Sequence, residues 1–268
     1  MKNENIKIGF IGCGNMGGAI ARAISRISQT TLYISEPNKA KAEEISKELG
    51  AKISDSESVC ECVDFLFLAI KPNLFDSVLP TLKAALSKNP DAVVVTMAAG
   101  VRIEKAEALL GTRPIIRIMP NTPVALGCGM ITWCKNSLVT ESAKEAFLHL
   151  MSEAGTLDEI PENMIDAASA VAGCGPAFVY MFIEALADGG VECGLPRDKA
   201  MLYAAKTLSG AAEMVMQTGK HPGLLKDDVC SPGGSTIEGV HALEESAFRG
   251  ASANAVIAAF EKTKKLGK

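Results

Sequence analysis

Apolar residues fall into two regimes along the chain: short runs separated by polar or glycine-rich breaks up to about residue 160, and long helical stripes afterwards. Ile6 to Ile11 is a run too short for a helix of its own. It ends in glycines and passes into Ala19, Ile20, Ala21, Ala23 and Ile24, which predicts a strand, a tight turn and a helix. Thr31 to Ser35 predicts a second strand, ending at Glu36-Pro37, and the Ala-, Lys- and Glu-rich stretch from Lys39 to Leu49, closed by Gly50, its crossover helix. Asp64 to Ile70, Ala92 to Met97 and Pro114 to Met119 are nearly unbroken apolar runs, as expected of parallel strands covered on both faces. Gly127 to Trp133 predicts a further strand, and Thr140 to Glu153 a helix capped by Thr140.

Around Ile160-Pro161 the alternation ends and everything afterwards reads as helix. The expected fold class is therefore α/β, a Rossmann-like parallel-sheet domain over residues 1–161 followed by an all-α domain over 162–268. Ala177 to Ile183 is apolar on every side, whereas a surface helix has one apolar stripe. The remaining helical residues are too few to enclose it, so a second subunit is expected to supply the cover. Pro196 opens a further helix whose stripe runs through Met201, Leu208 and Val215.

Composition narrows the function classes. The 268 residues are 48% hydrophobic and carry a net charge of −4, with lysines and arginines scattered, so no basic field awaits nucleic acid. No uninterrupted apolar run approaches the roughly 18 residues of a membrane span, and no membrane association is expected. The eight cysteines lie mostly in apolar or glycine-rich surroundings and no secretory leader precedes the first strand, which points to reduced thiols and a cytoplasmic protein. The only close pair is Cys60-x-Cys62, and the three histidines are far apart, so no metal site is expected.

The chemistry lies at the ends of the predicted strands. Gly12-x-Gly14-x-x-Gly17, between an apolar strand and an Ala-rich helix, is the context a dinucleotide fingerprint requires: one glycine for the turn, one for the approach of a pyrophosphate, one for helix-on-strand packing. Glu36 ends the second strand, where an acid hydrogen-bonds the ribose 2′-hydroxyl of NADH and opposes the 2′-phosphate of NADPH. This favours NADH, unless Lys39 or Lys41 offsets the charge or Glu36 points to solvent. Lys71-Pro72 ends the central strand, where Lys71 either meets a ligand or is a solvated loop residue. Ala98-Ala99-Gly100 would let a flat ring come close, and Pro120 and Pro123 brace Asn121 and Thr122 either near a ligand or in a stiff turn. A second glycine-rich loop, Ser231-Pro232-Gly233-Gly234-Ser235-Thr236, precedes a helix, and its backbone suits a carboxylate-sized anion or is simply a capped turn.

Taken together, these stretches resemble the pyrroline-5-carboxylate reductase family. The resemblance runs from Ile8 to the end of the chain and is strongest at Asp166 to Ala170, Gly173-Cys174-Gly175-Pro176-Ala177, Glu184 to Val191, Gly194-Leu195-Pro196-Arg197, His221-Pro222 and Ser231 to Ile237, supported by Ala69 to Pro72 and Met119 to Pro123. It implies reduction of the cyclic imine L-1-pyrroline-5-carboxylate by NADH or NADPH, and a helical domain that dimerises by interleaving helices, often in rings of dimers. By resemblance Ile11, Gly12, Cys13, Gly14, Asn15, Met16, Glu36, Ser56, Ala69, Ile70, Lys71, Pro72, Met97, Ala98 and Ala99 take cofactor-contact positions, and Ser235 and Thr236 substrate positions.

Two departures stand out. Ala172-Gly173-Cys174-Gly175-Pro176 replaces a serine-containing segment of the family and removes two hydroxyls from the neighbourhood of the substrate. Glu36 stands where many relatives carry a small polar residue. From the chemistry of imine reduction, the backbone N–H groups of Gly234, Ser235 and Thr236 are expected to hold the substrate carboxylate and the Thr236 hydroxyl to hydrogen-bond the ring nitrogen. Two competing readings are a related hydroxy- or keto-acid enzyme using Lys199 or Lys206, and a non-catalytic dinucleotide sensor.

Overall fold

A computed structural model describes residues 5–266. Its eight strands are β1 (Ile6–Ile11), β2 (Thr30–Ser35), β3 (Lys52–Ile53), β4 (Phe65–Leu68), β5 (Val93–Thr96), β6 (Ile115–Met119), β7 (Gly129–Lys135) and β8 (Gly155–Glu159), in one sheet of order β3-β2-β1-β4-β5-β6-β7-β8. The intervening helices are α1 (Asn15–Ile24), α2 (Lys39–Leu49), α3 (Ser56–Cys62), α4 (Phe75–Ser87), α5 (Ile103–Leu110) and α6 (Glu141–Met151), and α7 (Glu162–Ala168) follows β8. Strand order reverses between β1 and β4, the topological switch point at which doubly wound sheets bind ligands.

The caps match the local chemistry. Asn38, Asp55 and Thr140 accept the backbone N–H groups of Lys41, Ser58 and Ala143 at the starts of α2, α3 and α6, and Gly50 closes α2 at φ 66°. Both faces of the sheet are buried. Phe10 on β1 stacks on Phe67 of β4, centroids 4.9 Å apart, and Trp133 on β7 tilts against Phe147 of α6. Leu66, Leu68, Val94 and Ile115 fill the opposite face against α3, α4 and α5.

The sheet departs from all-parallel at one place: β7 is antiparallel to β6, and β8 is parallel to β7. Only Pro120 to Cys128 separate β6 from β7, with a 3-10 turn at Thr122–Leu126 inside the connection. A parallel crossover needs a dozen or more residues, so β7 must run back. The edge strands β3 and β8 have no apolar signature, because two residues and a mostly exposed Gly-Thr-Leu-Asp-Glu carry no hydrophobic period.

The chain divides into two compact units. The first extends to Cys174 and includes the residues from Ala259 onward; the second is Gly175 to Ala258. This break lies later than the change of sequence pattern, because α7 packs on β7 and its Ile165 joins the core on the α3–α5 face of the sheet. The second unit contains α8 (Gly175–Glu192), α9 (Arg197–Thr218), α10 (Pro222–Asp228), α11 (Ser235–Glu245) and most of α12 (Phe248–Leu266). Its own buried cluster is only Ala187, Ala200 and Ala204, with Ile183 and Val191 beside it. Met181 is 69% exposed and Met216 70%, and Tyr180, Leu202 and Tyr203 are also open. An apolar surface of this extent marks an interaction face.

The run-length count of apolar residues missed one feature. The helical segment Glu162–Glu192 contains an 18-residue window of mean hydropathy 1.6, long and apolar enough to cross a membrane by composition alone. Scattered glycines and small polar residues interrupt a count of consecutive apolar positions but barely lower the mean.

Candidate functional site

The first unit gathers most of the sequence-predicted residues at the carboxyl edge of β2, β1, β4 and β5. After β1 the chain turns at Gly12, whose φ of +83° places it in the left-handed region; a Cβ there would lie 2.8 Å from the Ala69 carbonyl. At Gly17 a Cβ would come within 2.6 Å of the Ala69 methyl, so helix α1 can approach the end of β4 only because this residue has no side chain. Around Gly14, by contrast, a Cβ would meet nothing within 4 Å. Two glycines are therefore required by packing, while the third faces open space. Helix α1 starts beside that space without a side-chain cap and without an acidic residue in its first turn, leaving its first N–H groups and positive dipole end for an anion. These residues suit a dinucleotide pyrophosphate.

Glu36 does not point idly to solvent. Its Oε2 accepts the Cys13 N–H at 2.7 Å and its Oε1 the Asn38 N–H at 3.0 Å, so the carboxylate is pinned between the glycine loop and the start of α2. Ser56, the first residue of α3, shares a 2.8 Å hydroxyl contact with Ser35 at the end of β2. A cavity of about 270 Å³ beside the loop is lined by Cys13, Gly14, Asn15, Arg22, Lys41, Glu44 and Ile45. Arg22 is held by Glu48 through two hydrogen bonds of 2.7 and 2.6 Å, which leaves Lys41 as the cation of that cavity without an ion pair among the described residues.

Side-chain burial separates the roles available at the other predicted positions. Ile11, Cys13 and Ala98 are buried in the core and offer a ligand only their backbone. Burial first, and the charge of Glu36 second, push the Cys13 thiol up to about 12, so it is a neutral packing group rather than a nucleophile. Ile70 and Ala99 are half-buried and Met97 lies at the rim of the core, while Asn15 and Lys71 are exposed, Lys71 immediately before the short turn Pro72–Leu74.

Arg117, in the middle of β6, and Asn121, just past its end, were only partly legible. The signal for Arg117 was a charge inside an apolar run. It is fully buried, and its guanidinium reaches Asp166 at 2.6 Å and Glu162 at 3.4 Å, both on α7. Glu162 also accepts the Ile103 N–H at 2.7 Å and so caps α5. Asn121 is turned toward the protein: its Oδ1 accepts the Met130 N–H at 2.9 Å and its Nδ2 donates to the Ala172 carbonyl at 3.0 Å.

In the second unit, Gly234 is the N-cap of α11 with no side-chain cap, and Gly233 turns at φ +68°. Ser235 and Thr236 are exposed. The Gly234 N–H is already committed to the Ser231 carbonyl at 3.0 Å. This narrows the expected carboxylate donors to the amides of Ser235 and Thr236, in the first turn of an 11-residue helix.

Comparison with known proteins fits both halves. Residues 162–266 match the family described as pyrroline-5-carboxylate reductase dimerisation, and residues 7–100 the family described as NADP oxidoreductase, coenzyme F420-dependent. The chain is 42% identical over 267 residues to the pyrroline-5-carboxylate reductase of Escherichia coli K12, covering 98% of each chain. It is 38% identical to that of Arabidopsis thaliana, covering 98% of this chain and 96% of the other. The crystal structure of Plasmodium falciparum pyrroline carboxylate reductase with NADP bound superposes with a TM-score of 0.90 at 36% identity, covering 99% of both chains. With near-complete coverage at such identity, the chain belongs to the pyrroline-5-carboxylate reductase family.

Proposed function

We propose that this chain reduces L-1-pyrroline-5-carboxylate to L-proline by hydride transfer from NADH or NADPH, the last step of proline biosynthesis, as a homo-oligomer of at least two chains in the cytoplasm. The observation that carries the reading is that two of the chain's uncapped helix starts, one after a glycine loop left open at Gly14 and the other at Ser235, have backbone donors that suit a pyrophosphate and a carboxylate respectively.

The cofactor, when bound, supplies the hydride; the protein binds, orients and controls charge. The α1 N-terminus and the backbone of Gly12 to Met16 would hold the pyrophosphate, and the pinned Glu36 carboxylate would meet the ribose edge, which favours NADH. Ala69 to Pro72 and Met97 to Ala99 offer the surface for the rest of the dinucleotide. The amides of Ser235 and Thr236 hold the substrate carboxylate, and the Thr236 hydroxyl hydrogen-bonds the ring nitrogen. A threonine hydroxyl is too weak an acid to protonate the imine near neutral pH, so the substrate arrives as the iminium and Thr236 polarises and orients it. The exposed apolar surface of α8 and α9 supports self-association, and a partner covering it would also remove the need for a membrane around Glu162–Glu192.

The test is oxidation of NADH and NADPH in parallel by purified protein given pyrroline-5-carboxylate. Rapid oxidation of either is expected, with the larger kcat/KM for NADH. Tight dinucleotide binding without oxidation would leave a sensor as the reading; oxidation with keto acids alone would move the chain to the neighbouring enzyme class.

A further inference from the structure

Between α7 and α8 the backbone widens into one π-helical turn, Ser169–Gly173, closed by a Cys174 N–H bond of 3.0 Å to the Ser169 carbonyl five residues earlier. Such single wide turns inside α-helices are frequent at functional sites. An α-helical continuation would give the Ala172 carbonyl to the N–H of residue 176, but residue 176 is proline and has none. The missing donor is supplied from another element: Asn121 Nδ2 donates to the Ala172 carbonyl at 3.0 Å.

The orientation of the amide is fixed. Its oxygen must face the Met130 N–H, a donor, and its nitrogen the Ala172 carbonyl, an acceptor, so a flipped amide would lose both bonds. Asn121 itself is 8% exposed, between Pro120 and the 3-10 turn Thr122–Leu126, which leaves its backbone little freedom. Lower on the same segment, Arg117 holds Asp166 and Glu162 of α7. The ion cluster fixes the helix, and Asn121 fixes the wide turn that follows it.

We propose that Asn121 is a positioning residue for the imine: by replacing the N–H that Pro176 lacks, it holds the Ala172–Cys174 backbone in the wide-turn geometry that the substrate end of the site needs. The proposal rests on the functional reading above and on the family resemblance, which implies that this segment borders the substrate. It also accounts for a site in which two hydroxyls of the segment are absent: backbone shape, set from outside, takes over the ordering.

The test is Asn121→Asp, which keeps an oxygen for the Met130 N–H and replaces the donor with a carboxylate. Expected at pH 8 are about a tenfold loss of kcat/KM for pyrroline-5-carboxylate, the size of one buried hydrogen bond, a dinucleotide Kd within about twofold of wild type, and faster hydrogen exchange in a peptide spanning residues 169–177. Burial beside a carbonyl favours the protonated acid, which donates as the amide did. The ratio of variant to wild-type kcat/KM should therefore recover as the pH falls toward 5 while the dinucleotide Kd and melting temperature stay near wild type at pH 8, a combination that a purely structural lesion would not give.

Unchanged exchange and unchanged imine kinetics would overturn the proposal. Losses of dinucleotide affinity and melting temperature in step with the loss of kcat/KM would overturn it too, whether or not low pH restores them, since Asn121 would then only support the fold. If wild type turns over no imine, the functional reading fails and the positioning role with it, while the exchange measurement still reports separately whether Asn121 holds the turn.

Discussion

Glu36→Ser is the most informative substitution in the cofactor site, because one carboxylate has opposite consequences for two cofactors. In the protein it is pinned by the Cys13 and Asn38 N–H groups. It is therefore already placed, and little ordering cost opposes its use. On the proposed reading it would accept a hydrogen bond from the ribose 2′-hydroxyl of NADH, and a charged hydrogen bond of this kind contributes about 1.5–3 kcal/mol. Toward NADPH it would repel the 2′-phosphate; one pair of like charges at about 5 Å costs ~1 kcal/mol at the dielectric of water and ~3 kcal/mol at an effective value of 20. Glu36 is half-exposed and salt screens it, so the lower end applies.

Together the two effects predict that the NADH-to-NADPH ratio of kcat/KM falls about 100-fold in Glu36→Ser, corresponding to about 2.7 kcal/mol. The change should come from both sides: NADH loses a contact, while NADPH gains from removed repulsion and from the freed Cys13 N–H. The assay is initial-rate dinucleotide oxidation at saturating imine for both cofactors, repeated at two ionic strengths. The NADPH part should shrink at high salt and the NADH part should not. A ratio within about threefold of wild type, or a shift toward NADH, would refute the assignment of Glu36 to the ribose and with it the NADH preference.

Gly14→Ala should keep the melting temperature and weaken dinucleotide affinity by tenfold or more by calorimetric titration, since its Cβ meets no protein atom but enters the open space of the loop. Gly17→Ala should instead destabilise the protein by about 1–3 kcal/mol in urea, because its Cβ would strike Ala69. Thr236→Ala should lower kcat about tenfold, as loss of one polarising hydrogen bond would, and retain measurable turnover; complete loss with cofactor affinity intact would make Thr236 a proton donor after all. Burial raises the thiols of Cys13 and Cys60 to about 12 and that of Cys134 to about 11. All three should stay protonated and resist iodoacetamide in native protein at pH 8, and site-resolved mass spectrometry showing rapid labelling of any of them would contradict the packing described.

The sequence by itself determined what depends on local pattern and backbone chemistry. Short apolar runs alternating with Ala- and Glu-rich stretches gave the strands and helices of the first half. Gly12 and Gly17 announced their turn because few other residues tolerate a left-handed φ or a contact as close as that to Ala69, and Gly14 completed the spacing beside open space. Thr140 declared its cap, and the all-apolar Ala177 to Ile183 its need for cover, since each property belongs to a few neighbouring residues.

The tertiary structure decided what depends on residues distant in sequence. The reversal of β7 follows from the length of a connection, and β8 exists only through pairing with β7, because its own sequence buries almost nothing. Glu36 was visible as an acid at a strand end, but only the fold brings the Cys13 N–H to it from 23 residues away. Arg117 stood as a charge in an apolar run, and Asn121 was open to either a ligand or a stiff turn. Their distant partners lie 45 to 51 residues further on, in α7 and the wide turn, where a buried guanidinium must be neutralised and a carbonyl without a donor must find one.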